Sequence, residues 1–222
     1  MNEEHLGFGT LYEKFILGGF FRKFIEQLDI HTVCEYPTNN LMDNNSEEFE
    51  RAGCAVVRMT ALEAGETYDF VWNFCEFERS SDSMQMIREM LGLSKRYMFI
   101  VVQNKRNIGV PLHWIYHLFT GRKWDHGRMR QMSLAAVKSA FEHENVRILE
   151  HGFFDVPWFI LDVYESGKPL RWMAPRSYVE ASRMKNSLFE GLPNWLKGWL
   201  AHHAYVLFEK KPQAAKKADL NA

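Results

Sequence analysis

The chain has 222 residues, of which 46% are hydrophobic and 25% charged. That is the balance of a folded globular protein, and it excludes a mainly disordered or fibrous chain. With 27 Lys and Arg against 28 Asp and Glu, the net charge is -1, so no basic field exists to hold a nucleic-acid backbone and no nucleic-acid partner is expected. The length suits a single domain over residues 1–211, with 212–222 a polar, disordered tail.

In chain order, Leu11–Leu28 reads as an amphipathic helix, with Leu11, Phe15, Phe20, Phe24 and Leu28 near helical spacing. Gly18-Gly19 weakens its middle. Four apolar runs of strand length follow: Thr32–Tyr36, Ala55–Met59, Tyr68–Asn73 and Tyr97–Gln103. Helix-like pieces lie between them. Ser46–Ala52 is one. Asp82–Leu93 is another, with Ser81 or Asp82 as its cap and Met84, Ile87, Met90 and Leu91 as its apolar stripe. Strand alternating with helix means βαβ units and a largely parallel sheet.

The second half has a different texture. Residues 111–222 carry six of the seven Trp and seven of the nine His. Pro111–Thr120 is an aromatic helix, and Ser133 caps a helix over Leu134–Glu144 with Val137, Ala140 and Phe141 inward. Val146–Glu150 is strand-like. Residues 153–200 contain Pro157, Pro169, Pro175 and Pro193, which argues against regular strands there. His203–Glu209 reads as a last strand. Leu188–His203 is aromatic with few charges. Core packing is its default reading, and contact with a membrane surface or an apolar substrate is the alternative.

Cys34, Cys54 and Cys75 form no CxxC pair, so neither a disulfide framework nor a zinc ribbon is expected. No signal peptide and no membrane-spanning run is read, and a cytoplasmic setting is expected.

Three segments, in order, resemble the class I S-adenosylmethionine-dependent methyltransferase family, in particular its small-molecule and quinone methylases. Ala55–Trp72, with Thr60-Ala-Leu and Tyr68-Asp-Phe-Val, is similar to the family's third strand, acidic turn and fourth strand. Phe77-Glu-Arg through Val101 is similar to the helix and fifth strand that follow. Asp125-His-Gly-Arg through Gly152-Phe-Phe is similar to a Gly-His-x-Arg region and the strand after it, and Leu192 to Lys211 resembles the family's end. The resemblance spans roughly residues 10–211 and implies a Rossmann-like α/β fold: a mainly parallel sheet, helices on both faces and an antiparallel last strand. Only 34 residues separate Glu35 from Asp69, so one βα unit is shortened, with Leu41-Met-Asp43 as a vestigial second strand.

The resemblance also implies S-adenosylmethionine as cofactor and a small or apolar acceptor. Cofactor-binding positions carried over on it are Glu35 at the first strand end, Pro37, Asn39 and Asn40 in the turn, Asp43 for the ribose, Thr60 on the adenine side, and Asn73 with Phe74 after the fourth family strand. The family's turn is glycine-rich; here Glu35-Tyr-Pro-Thr-Asn-Asn40 has no glycine, and Asn39 or Asn40 would supply positive φ. The alternative is therefore a non-catalytic methyltransferase-like binding or assembly protein, in a homo- or hetero-oligomer. His126 is the candidate base, with a pKa suited to neutral pH. Asp125 would orient it. His113, Trp114, His117 and Trp124 are the candidate acceptor wall. His113 and His117, four apart, share a helical face, but spacing fixes no third metal ligand, so no metal is assigned. A metal-dependent enzyme using His113, His117 and His126 is the weakest of three readings. Cys75 reads as a buried thiol rather than a nucleophile.

Overall fold

The computed structural model describes residues 8–37, 46–62, 65–121, 123–124, 126–156 and 175–212. The apolar runs form strands β1 (Thr32–Glu35), β2 (Ala55–Arg58), β3 (Tyr68–Phe74), β4 (Ser94–Gln103), β5 (Val146–Phe154) and β6 (His203–Lys210). They join in one six-stranded sheet, ordered β2-β1-β3-β4-β6-β5. The pairs β2–β1, β1–β3 and β3–β4 are parallel. β6 runs antiparallel to both of its neighbours, β4 and β5. This is the α/β class expected from the sequence, with the last strand antiparallel.

Two expectations about strands change. The run Ala55–Arg58 pairs directly with β1, so it holds the second position from the switch in strand order and is the edge strand among the described residues. Leu41–Asp43, read as a vestigial strand, lies outside the described residues. β5 continues to Phe154, into the segment where strands were not expected, and shifts register between Ile148 and Glu150.

Helices cover both faces because side chains alternate along each strand. Val33, Phe70, Trp72, Phe99, Val101 and Leu207 face α1 (Phe8–Gln27) and α2 (Glu47–Arg51), meeting Leu17, Phe21, Phe24 and Phe49. Cys34, Val71, Met98, Ile100, Val206 and Phe208 face α3 (Ser83–Leu93) and α5 (Leu134–Ala140), meeting Met86, Ile87, Met90, Val137 and Phe141. The apolar stripe of α1 is thus Leu17, Phe21 and Phe24 rather than one through Phe15, which is exposed. On α3 the buried residues are Met86, Ile87, Met90 and Leu93, while Met84 points to solvent. Both predicted caps form. Asp82 accepts from Gln85 N at 2.9 Å and Ser133 from Ala136 N at 3.1 Å, satisfying first-turn N–H groups.

The remaining helices are α4 (Gly109–Thr120), α6 (Pro175–Phe189) and α7 (Asn194–Leu200). Here core packing is not the whole answer. Leu188, Trp195 and Trp199 are exposed, against the default reading of that segment. Among the described residues no helix is long and apolar enough to cross a membrane.

Phe99 is fully buried and lies edge-on to Phe21 and Phe24 at 6.2 and 5.1 Å. Phe99→Ala is expected to cost about 3–5 kcal/mol of stability, read as a lower urea midpoint with an unchanged slope.

Candidate functional site

The carboxyl ends of β1, β3, β4 and β5 and the amino end of β6 share one edge of the sheet. Register fixes this: His203 lies opposite both Gln103 and Phe154. β1 has β2 on one side and β3 on the other, so strand order reverses there, and the crevice beyond β1 and β3 is where open α/β sheets bind ligands.

Glu35 ends β1 at this crevice. It is buried, and Arg58 Nε stands 3.8 Å from its carboxylate, while the Nη2 of the same guanidinium donates to Glu50 at 3.0 Å. Thr60 is exposed just past β2, on the same edge, because Arg58 registers with Glu35. Tyr36 N continues the ladder to Trp72 O at 2.9 Å, and its phenol donates to Glu89 at 2.6 Å. Pro37 follows, half-buried. Phe74 is buried with its ring 5.0 Å from that of His203. Asn73 departs from its expected role. Its side chain turns to the opposite face, fully buried, and donates to Met90 Sδ at 3.1 Å rather than facing the crevice. Asn39, Asn40 and Asp43 lie outside the described residues.

Beside this crevice sits a buried ionic cluster that the sequence did not announce. Glu13 of α1 accepts from His203 Nε2 at 2.7 Å, and His202 Nδ1 lies 3.0 Å from the same oxygen and 3.3 Å from Asp155. Burial alone would raise the Glu13 carboxyl, but the His203 charge and hydrogen bonds from both imidazoles hold it at about 2. Burial would lower His202, yet its hydrogen bonds to Asp155 and Glu13 and their charges raise it to about 9. His203 is lowered, by burial and by the neighbouring His202 charge. The cluster pins α1 to the strand edge. Next to it, Tyr12, Phe20, Phe154, Asp155, Arg183 and Tyr205 line part of a cleft of about 510 Å³.

The second cluster is made of the predicted acceptor-side residues. His113 Nε2 stands 2.9 Å from His126 Nε2 and 3.0 Å from His117 Nε2. Trp124 presents its ring edge-to-face to all three, at 5.7, 5.4 and 4.8 Å. Trp114 does not join them; one position past His113 it leaves the shared face and is exposed. Gln103, at the end of β4, reaches His126 Nδ1 at 3.5 Å. Gly127 lets this loop sit on the backbone after β3. Its φ is +91°, and a Cβ there would meet Glu78 O at 2.5 Å. Asp125 is outside the described residues.

Glu78 is fully buried under that loop and accepts from Gln103 N at 2.8 Å. Burial, opposed by that hydrogen bond and by Arg79, raises it to about 7. Cys75, at φ +57° and buried, has its thiol pushed well up by burial and by Glu78 and Glu13, which is the inert state of a cysteine.

No family model and no curated protein matches the chain. Solved structures do. Magnesium protoporphyrin IX methyltransferase from Synechocystis PCC 6803, with bound SAH, is 10% identical; the match covers 91% of this chain and 84% of that one, with a TM-score of 0.47. The plantazolicin methyltransferase BpumL with SAH is 8% identical over 91% and 86% of the two chains, at 0.46. Coclaurine N-methyltransferase with SAH is 12% identical over 88% and 71%, also at 0.46. With every one of these scores below 0.5, the chemistry of this edge is read from the chain's own residues.

The ionic cluster sets a pH dependence. A raised His202 contributes stability that is complete below its unfolded value of 6.5 and lost as pH rises through about 9. Glu78, raised to about 7, acts in the same direction, since it is charged only at a cost once folded. A lowered Glu13 contributes above 4.5 and loses that contribution as pH falls toward 2. The thermal midpoint is therefore expected to fall between pH 6.5 and 9, and Glu13→Gln to make that fall shallower; differential scanning calorimetry across this range checks both.

Proposed function

We propose that this protein is an S-adenosylmethionine-dependent methyltransferase acting on a small molecule. The observation that carries the reading is the sheet: parallel β2-β1-β3-β4 with antiparallel β6 set between β4 and β5, as the family resemblance of the sequence implies. The cofactor belongs in the crevice beyond β1 and β3. Glu35 is the acidic group there, and Tyr36, Pro37, Thr60 and Phe74 surround the same edge.

In methyl transfer the protein aligns the acceptor with the sulfonium methyl and excludes water. S-adenosylmethionine supplies the methyl group when bound. The acceptor side is assigned to His113, His117, Trp124 and His126, which meet beside the end of β4. Where the three rings hold no metal, His126, the one of them that is only half-buried, is the candidate to take the acceptor proton.

Isothermal titration calorimetry with S-adenosylhomocysteine tests the reading. Saturable, stoichiometric binding is expected, weakened about tenfold or more by Glu35→Gln, the loss of a charge-assisted hydrogen bond. An absence of heat at millimolar ligand would leave the non-catalytic binding-protein reading, which the glycine-free turn after Glu35 favours.

A further inference from the structure

We propose that His113, His117 and His126 form a site for one divalent metal ion of zinc type. The inference does not rest on methyl transfer; it rests on where three ring nitrogens meet.

His113 Nε2 lies within hydrogen-bond distance of two other Nε2 atoms, at 2.9 and 3.0 Å. A ring nitrogen has one in-plane lobe, holding either a proton or a lone pair. It makes one linear hydrogen bond, not two. His117 sharpens the point. Its Nδ1 lies 3.1 Å from Lys123 O, and a carbonyl only accepts, so Nδ1 carries the proton. With that proton on Nδ1, the Nε2 of a neutral His117 ring turns its lone pair toward His113. An outer hydrogen bond from a ring N–H to a backbone carbonyl is also how metal-ligating histidines are held in orientation. One cation between the three nitrogens satisfies all three lone pairs together.

The dimensions suit zinc. Zn–N bonds of about 2.0–2.1 Å in tetrahedral geometry separate ligand nitrogens by roughly 3.3 Å. The two short pairs need to open by only a few tenths of an ångström, and the third pair, His117 with His126, lies within 4.8 Å and draws together around a shared ion. A set of imidazoles selects zinc and its transition-metal neighbours over calcium or magnesium.

Burial points the same way. On α4 the two imidazoles are 5% exposed, whereas Leu118 and Phe119 are 64% and 85% exposed. Apolar burial alone selects the opposite rotation of such a helix. The third imidazole arrives from a loop whose approach depends on Gly127, and Trp124 closes the far wall. The other group with metal-ligand spacing, Glu13 with His202 and His203, is already engaged, since its carboxylate serves both imidazoles. A zinc ion with three nitrogen ligands takes a further ligand, either water or an anionic oxygen or sulfur donor of a small molecule.

The full-length chain, stripped with a chelator, is titrated with Zn²⁺ against a chromophoric competitor, and with Co²⁺ for its visible spectrum. One zinc per chain and a four-coordinate cobalt spectrum are expected. His113→Ala and His126→Ala should each weaken zinc by more than the roughly tenfold to hundredfold that losing an outer-shell partner costs. His202→Ala should leave the cobalt spectrum unchanged. Circular dichroism verifies folding, and if His113→Ala does not fold, the half-buried His126→Ala decides. Failure of the wild type to retain zinc, or zinc binding unchanged in His126→Ala, overturns the proposal. Neither outcome bears on S-adenosylhomocysteine binding, which is measured separately.

Discussion

The arrangement of this molecule depends on one strand. β6 hydrogen-bonds along its whole length between β4 and β5, and it runs against both. Its first residue, His203, is thereby fixed opposite Gln103 and Phe154, at the edge where the parallel strands end. From there its ring takes Glu13 of α1, stacks on Phe154 and faces Phe74. The edge that would otherwise be a row of strand ends becomes a set of walls. A buried imidazole–carboxylate contact survives in a dry interior only when its remaining polar atoms are also served, and here His202 and Asp155 complete the group.

The two buried clusters at this edge are chemically opposite. The Glu13 group pairs carboxylates with imidazoles, and these contacts hold α1 against the sheet. The three-histidine group brings like partners together, with three ring nitrogens meeting at one point. The first group is structural, and the second carries the proposed metal site. Glu78 lies between the two. It is buried under the loop that carries His126, and it holds both sides: its carboxyl group accepts from Gln103 N at the end of β4, and its backbone oxygen accepts from Arg128 N of the loop.

Much of the fold was legible along the chain. Strand runs, the Asp82 and Ser133 caps and the alternation of strand with helix all rest on local chemistry, and local chemistry is what a sequence displays. Residues on one face of one helix were legible too, which is why His113 and His117 were paired. Their third partner was named only as the weakest of three readings, because His126 comes from a loop and no spacing rule fixes a loop's return. Trp114 stands apart from the other three because a run of aromatic residues does not show which way its helix is rolled. Asn73 lies at a strand end, and that position alone does not give the parity of its side chain, which turns to Met90. Glu13 and His203 are 190 residues apart, a contact created by the antiparallel return of β6, and neither residue carries a pattern of its own.

The central claim is that one edge of the sheet, at the ends of β1 and β3, is where this protein binds its ligand. The most direct measurement is a nuclear magnetic resonance map of backbone amide shifts in the isotope-labelled chain as S-adenosylhomocysteine is added. Shifts concentrated at Glu35, Tyr36, Thr60, Phe74 and Cys75 are predicted. Shifts confined to the opposite edge, around Ser94 and Val146, or no shifts at all, would contradict it.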